Sequence, residues 1–189
     1  MIVTLSGVTG IGKSFFKNQI IKELGFKNLV IRTTRKKREN EVNNIDKLFL
    51  SDEEFEKLKK KGKLSVDFEF LGNKYAYDTD SIHSNENQVT EVHYSTIYNF
   101  KENAKDVFAI YMIPKDLEKA KEELRKRKLS PEVEKNRLKE IDEHVKEFSE
   151  NKNLQKQFDY IFVNNFDEKS KEELLSVIKE KINQRKKEK

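Results

Sequence analysis

Ile2-Val3-Thr4-Leu5-Ser6-Gly7-Val8-Thr9-Gly10-Ile11-Gly12-Lys13-Ser14 carries an apolar run directly into a complete G-x-x-x-x-G-K-[ST] pattern over residues 7–14. A bound phosphate needs converging backbone N–H groups, and residues without a Cβ let the backbone approach that closely and turn that sharply before a helix N-terminus. Gly7, Gly10 and Gly12 are three of the six glycines in the chain, so half of its most permissive positions serve this loop. Lys13 is then expected to reach the β- and γ-phosphates of a nucleoside triphosphate and the Ser14 hydroxyl to ligate Mg²⁺, with Val8, Thr9 and Ile11 completing the cradle. Phe16, Ile20, Ile21 and Leu24 follow at helical spacing and stop at Gly25, which supplies the helix the loop requires.

With 189 residues the chain has the size of one domain and can bury a proper core. Charged residues make up 39% and apolar ones 35%, which predicts a thin core under long solvated helix faces. The net charge of +5 arises from 39 basic and 34 acidic residues that interleave along most of the chain. A small polyphosphate explains that surplus as well as a nucleic acid does, and no nucleic-acid motif is present. The absence of cysteine excludes disulfides and thiol catalysis, and three dispersed histidines do not suggest a metal cluster. No apolar stretch approaches membrane-spanning length and the first strand starts at Ile2, so a cytoplasmic monomer or weak homodimer without a membrane partner is the expectation.

Further along, Leu29-Val30-Ile31 reads as a buried strand running into the basic stretch Arg32 to Arg38. Ser51 to Glu54 has the capping-box pattern, opening a short helix that Gly62 stops. Leu64, Val66, Phe68 and Phe70 alternate with polar residues, so this strand is expected to keep one wet face, and Gly72-Asn73 turns it back through Tyr75 and Tyr77. Residues 89–92, 107–112 and 158–163 are further strand candidates, with helices between and after them. Pro114 and Pro131 are placed at helix starts. The alternation predicts an α/β fold with a mostly parallel sheet.

The phosphate loop, Thr33-Thr34-Arg35-x-x-Arg38, Glu41, the Ser-x-x-Glu-Phe helix start, Gly72-Asn73-x-Tyr75 and the strand ending Val163-Asn164 occur in an order that resembles the guanylate kinases over almost the whole chain. The resemblance implies a P-loop kinase fold: a mostly parallel five-stranded sheet flanked by helices, a mixed β flap for a nucleoside monophosphate and a helical lid. One domain is expected, with core 1–32, 81–122 and 138–189, flap 33–80 and lid 123–137. ATP and Mg²⁺ would be the cofactors, GMP or dGMP the first acceptor. The alternatives are another phosphorylated acceptor, or a module that binds phospho-ligands without catalysis. By the same resemblance Arg35 and Arg38 clamp the acceptor phosphate with Tyr75, and Glu41 holds the arginines or the nucleotide. Arg127 and Arg137, on helices flanking a link, close over the donor phosphates, Glu91 binds Mg²⁺ through water, and Asn164 lies near the adenine. Phosphoryl transfer joins two anionic groups, so positioning and charge neutralisation by arginines is the chemistry required.

The family reads guanine with a serine, a glutamate and an aspartate at positions that here are Ile31, Val66 and His93, and Asp67 replaces the glutamate only if the strand slips by one residue. Lys47 stands where a phosphate-holding tyrosine is expected, Tyr77 adds bulk beside the base or sugar, and Glu123 occupies an arginine position that Arg125 or Lys126 could serve. The donor machinery is thus kept, and the acceptor base meets a changed set of side chains.

Overall fold

The computed structural model describes residues 1–37, 41, 47–70 and 72–187. In chain order the elements are β1 (Ile2–Gly7), α1 (Lys13–Leu24), β2 (Lys27–Asn28), β3 (Ile31–Thr33), β4 (Lys47–Phe49), α2 (Asp52–Lys60), β5 (Leu64–Phe70), β6 (Asn73–Asp78), α3 (Thr79–Ile82), β7 (Gln88–Glu91), α4 (Ile97–Asn103), β8 (Val107–Pro114), α5 (Leu117–Arg125), α6 (Pro131–Glu150), α7 (Lys152–Gln155), β9 (Tyr160–Asn164) and α8 (Glu168–Lys187). Five strands in the order β2-β7-β1-β8-β9 form an all-parallel sheet. A second, mixed sheet has the order β4-β3-β6-β5.

The pleat sorts the core. On β1, Val3 and Leu5 point to one face and Ile2 to the other, while on β8 Phe108, Ile110 and Met112 oppose Ala109 and Tyr111. The first face is covered by Phe16 and Ile20 of α1, Leu124 of α5, Ile141 of α6 and Leu174 and Ile178 of α8. The second is covered by Ile97 and Phe100 of α4, and through them it reaches Ile31, Val66 and Tyr77 of the mixed sheet. The two sheets therefore share a hydrophobic cluster, which fixes the mixed sheet beside the C-terminal edge of the parallel one.

Three local expectations are corrected. The single strand over 29–31 is two short strands, because the chain leaves the parallel sheet after Asn28 and enters the mixed one at Ile31. Pro114 ends β8 rather than opening a helix, and the Asp116 side chain caps α5 by accepting from the Glu118 N–H. The alternation along β5 breaks at Val66, where Ser65 pairs with Tyr77 and Phe68 with Tyr75, leaving Val66 and Asp67 opposite Ala76 alone. Val66 adopts φ 54°, a conformation that costs a β-branched residue about 1–2 kcal/mol. The bulge keeps Val66 in the shared cluster and turns Asp67 outward to Lys59 at 2.5 Å. The capping box at Ser51 and Glu54 and Pro131 in the first turn of α6 stand as expected.

Candidate active site

The central strand β1 has β7 on one side and β8 on the other. Connections from its C-terminal end diverge there, and a crevice opens in sheets of this kind. Residues 8–12 occupy that crevice. Close approach explains two of their glycine neighbours: a Cβ on Gly7 would meet the Met112 carbonyl oxygen at 2.4 Å, and one on Gly10 the Ala120 carbonyl oxygen at 2.2 Å. The loop is thus clamped between β8 and α5. Lys13 folds back into it, its Nζ donating to the carbonyl oxygens of Gly7 and Val8, each at 2.8 Å. Desolvation pushes the Lys13 ammonium down to about 8, opposed by Glu91 and Glu140 and aided by Arg127 and Arg137. Arg127 and Arg137 therefore both lie within electrostatic range of the loop lysine. Arg137 stands on α6 with Nη1 donating to Glu140 at 2.6 Å. Arg127 lies past the end of α5, in the turn before α6 rather than on a helix as expected.

Two clefts meet at this loop. One, of about 500 Å³, is lined by the loop residues Thr9, Gly10, Gly12, Lys13 and Ser14, then Phe15, and by Glu123, Lys126 and Arg127 opposite. The other, of about 370 Å³, lies between α1 and the mixed sheet, with Lys17, Asn18, Ile31, Glu41, Lys47 and Thr90 among its walls. Ser14, Glu91 and Arg127 line both. At the junction the Ser14 hydroxyl donates to Glu91 Oε2 at 3.2 Å, and Lys17 holds Glu91 Oε1 at 3.3 Å.

Behind Glu41 of the second cleft, Arg35 Nη2 donates to both Glu41 oxygens at 2.6 and 2.8 Å, and the guanidinium sits 5.5 Å from the Phe49 ring centroid. Desolvation pushes the Lys47 ammonium down, Glu41 opposing and Arg35 aiding, so the three groups converge. Tyr75 pairs with Thr33 and stacks on Phe68, ring centroids 5.1 Å apart. Arg38 lies outside the described residues.

Other expected contacts are placed differently. Val66 and Tyr77 are 2% and 0% exposed, and the Tyr77 hydroxyl shares a hydrogen bond with Thr90, so both side chains pack the core and show a ligand no surface. The bulge removes Asp67 as a stand-in for the missing glutamate. His93, just past β7, lies 5.2 Å from Phe70 and 5.5 Å from His144 on α6, with Nδ1 2.7 Å from Ser95 Oγ, and burial pushes its pKa below the ordinary histidine value. Asn164 is 2% exposed, with Nδ2 donating to the Ile11 carbonyl at 2.9 Å and Oδ1 accepting from the Phe166 N–H at 2.8 Å. From the end of β9 it thus braces the loop at Ile11. Sequence reasoning missed Phe15, Lys17, Asn18 and Thr90. Lys17 was reachable, since it stands four residues after Lys13 on the same face of α1.

The guanylate kinase family model matches residues 1–181. The guanylate kinase of Malacoplasma penetrans is 28% identical over 193 residues, covering 98% of this chain and 95% of that protein. That of Streptococcus agalactiae is 29% identical over 171 residues, 87% of this chain and 78% of its own length. The crystal structure of guanylate kinase from Anaplasma phagocytophilum superposes with a TM-score of 0.67 at 23% identity, over 98% of this chain and 85% of that one, and so shares the fold. A parallel sheet with a clamped phosphate loop, a mixed sheet beside it and a family match across nearly the whole length lead to one conclusion: the chain belongs to the guanylate kinase family.

Proposed function

We propose that this protein is an ATP-dependent phosphotransferase that converts GMP to GDP. The observation that carries the reading is the junction of two clefts at Ser14, Glu91 and Arg127. A donor and an acceptor phosphate placed one in each cleft meet there, which is what in-line transfer between two nucleotides requires. The family match and the guanylate kinase relatives favour GMP over other acceptors.

ATP supplies the phosphoryl group, and Mg²⁺ neutralises and orients its phosphates when bound. The residues present fit both. The loop offers backbone N–H groups at the N-terminus of α1, and Lys13 is a cation already held in it by the Gly7 and Val8 carbonyls. Ser14 and Glu91 offer oxygen atoms at the junction, and among the described residues no group of three or more His, Asp or Glu gathers to hold a metal. Mg²⁺ suits such a site because it is characteristically shared between one or two carboxylates and substrate phosphates. Arg35 and Lys47 bind the acceptor phosphate, Glu41 keeps Arg35 aligned, and Arg127 with Arg137 screens the charge that spreads over the transferring group. The mixed sheet then acts as the acceptor flap and residues 123–137 as the lid, and one chain supplies both clefts.

Coupled ADP release with GMP, dGMP, AMP, UMP and CMP at saturating ATP tests the reading. GMP is expected to give the highest kcat/KM by at least tenfold. Turnover of another monophosphate equal to that of GMP, or none with any of them, would overturn it.

A further inference from the structure

We infer that Phe15 is the stacking platform for the base of the donor nucleotide, and that the donor base is held by its face and not read at its edge. The inference rests on the donor cleft proposed above. Phe15 follows Ser14 directly on α1 and is 50% exposed, whereas Phe16 beside it is 2% exposed in the core. A phenylalanine ring left half in water forfeits much of the stabilisation that full burial supplies. The ring is oriented all the same. It meets Phe16 edge-on, centroids 5.3 Å apart at 82°, and Phe16 is in turn edge-on to Phe162 of β9. Phe15 is the one aromatic side chain lining the donor cleft among the described residues, and Glu123, Lys126 and Arg127 form the opposite wall.

The position is dictated by the loop. Phosphates bound at residues 7–14 leave the ribose and base to extend along the same cleft, away from the junction with the acceptor cleft at Ser14 and Glu91. The lining there offers an aromatic face. Asn164 is not part of that lining: it is 2% exposed, and its side chain is hydrogen-bonded to Ile11 and Phe166. Every base has a π face, so a stacking site holds purines without discriminating strongly between them.

Isothermal titration of the full chain with MgATP, MgGTP and magnesium tripolyphosphate tests this, using the wild type, Phe15→Ala and Phe15→Tyr. Because half of the ring is exposed, Phe15→Ala is expected to fold, with a small loss of thermal stability from the lost contact with Phe16. It should raise the Kd for MgATP by about tenfold, in line with the range for losing one stacked base, and leave the Kd for tripolyphosphate within twofold. Phe15→Tyr should restore MgATP binding to within threefold of wild type, and MgGTP should bind the wild type within about tenfold of MgATP. ATP affinity within twofold of wild type in Phe15→Ala would overturn the platform, as would an equal loss for tripolyphosphate, which has no base. Preference for ATP over GTP beyond a hundredfold would overturn the claim that the edge is unread. These are binding readouts in the absence of acceptor, so a chain inactive on GMP would refute the kinase reading and leave this result interpretable.

Discussion

Asn164→Asp separates a brace from a base reader by changing one atom. Asn164 is buried, its Nδ2 donating to the Ile11 carbonyl at 2.9 Å and its Oδ1 accepting from the Phe166 N–H at 2.8 Å. Aspartate keeps the acceptor for Phe166 and replaces the donor with an oxygen facing an oxygen. A buried carbonyl left without its donor costs about 1–3 kcal/mol, and an unpaired buried carboxylate adds to this unless it takes up a proton. A loss of about 3 kcal/mol at pH 7 follows, which in a domain this size lowers Tm by roughly 6–12 °C. Protonation restores an O–H that can donate to Ile11. Burial and the facing oxygen raise the carboxyl pKa in the folded variant, so the variant's deficit should shrink as pH falls toward 5. Urea denaturation without nucleotide, at pH 5 and pH 7, measures both effects. ATP and GTP affinities should fall together, because what is disturbed is the shape of residues 8–12. If stability changes by less than 0.5 kcal/mol while ATP binding alone is lost, Asn164 touches the adenine and the bracing account is wrong.

Gly10→Ala would place a Cβ 2.2 Å from the Ala120 carbonyl oxygen at φ +85°, whereas Gly62→Ala has a similar φ of +67° and meets nothing within 4 Å. The second should cost about 1–2 kcal/mol by thermal unfolding, and the first should cost more and also lose at least tenfold in MgATP affinity, so equal behaviour of the two would refute the clamp between loop and α5. Lys13 is held near 8 in the folded protein and about 10.5 when unfolded, so between those values the unfolded state carries the extra proton. Nucleotide-free stability should therefore rise with pH across that window, by up to about 3 kcal/mol for a shift of this size, and MgATP binding should begin to take up a proton and weaken above pH 8; a Kd flat to pH 9.5 would contradict this.

The donor half of the site was legible because its constraints are written in single residues. A backbone that must pass 2.4 Å from where a Cβ would sit admits glycine at position 7, and a charge among phosphates needs the lysine at position 13. Such demands survive in any sequence that meets them, and they appear at fixed spacing. The role expected of Asn164 was less legible, for a related reason. Its place at the end of β9 was read correctly, but the identity of a polar residue does not disclose whether its hydrogen bonds are turned inward or toward a ligand.

The acceptor half was less legible because its meaning depends on register. Val66, Asp67 and Phe68 read as a regular alternation, and in a regular strand a slip by one residue would have turned Asp67 into the cleft. The structure inserts a bulge instead, and a β-branched residue at φ 54° carries no sequence signal, since glycine or asparagine is the usual occupant of that conformation. The bulge has a function that periodicity could not reveal. By leaving two residues opposite Ala76, it places Phe68 beside Tyr75 and keeps Val66 in the cluster with Tyr77, Ile97 and Phe100. The mixed sheet is thus tied to the parallel one through Val66 and Ile31, two positions where the resemblance led polar base-reading residues to be expected. A base entering the second cleft would meet Asn18, Asn28 and Thr90 beside the apolar Leu29 and Ile31, so hydrogen-bonding groups still face it. If Arg35 and Lys47 hold the acceptor phosphate as proposed, those polar groups are what remains to read its base.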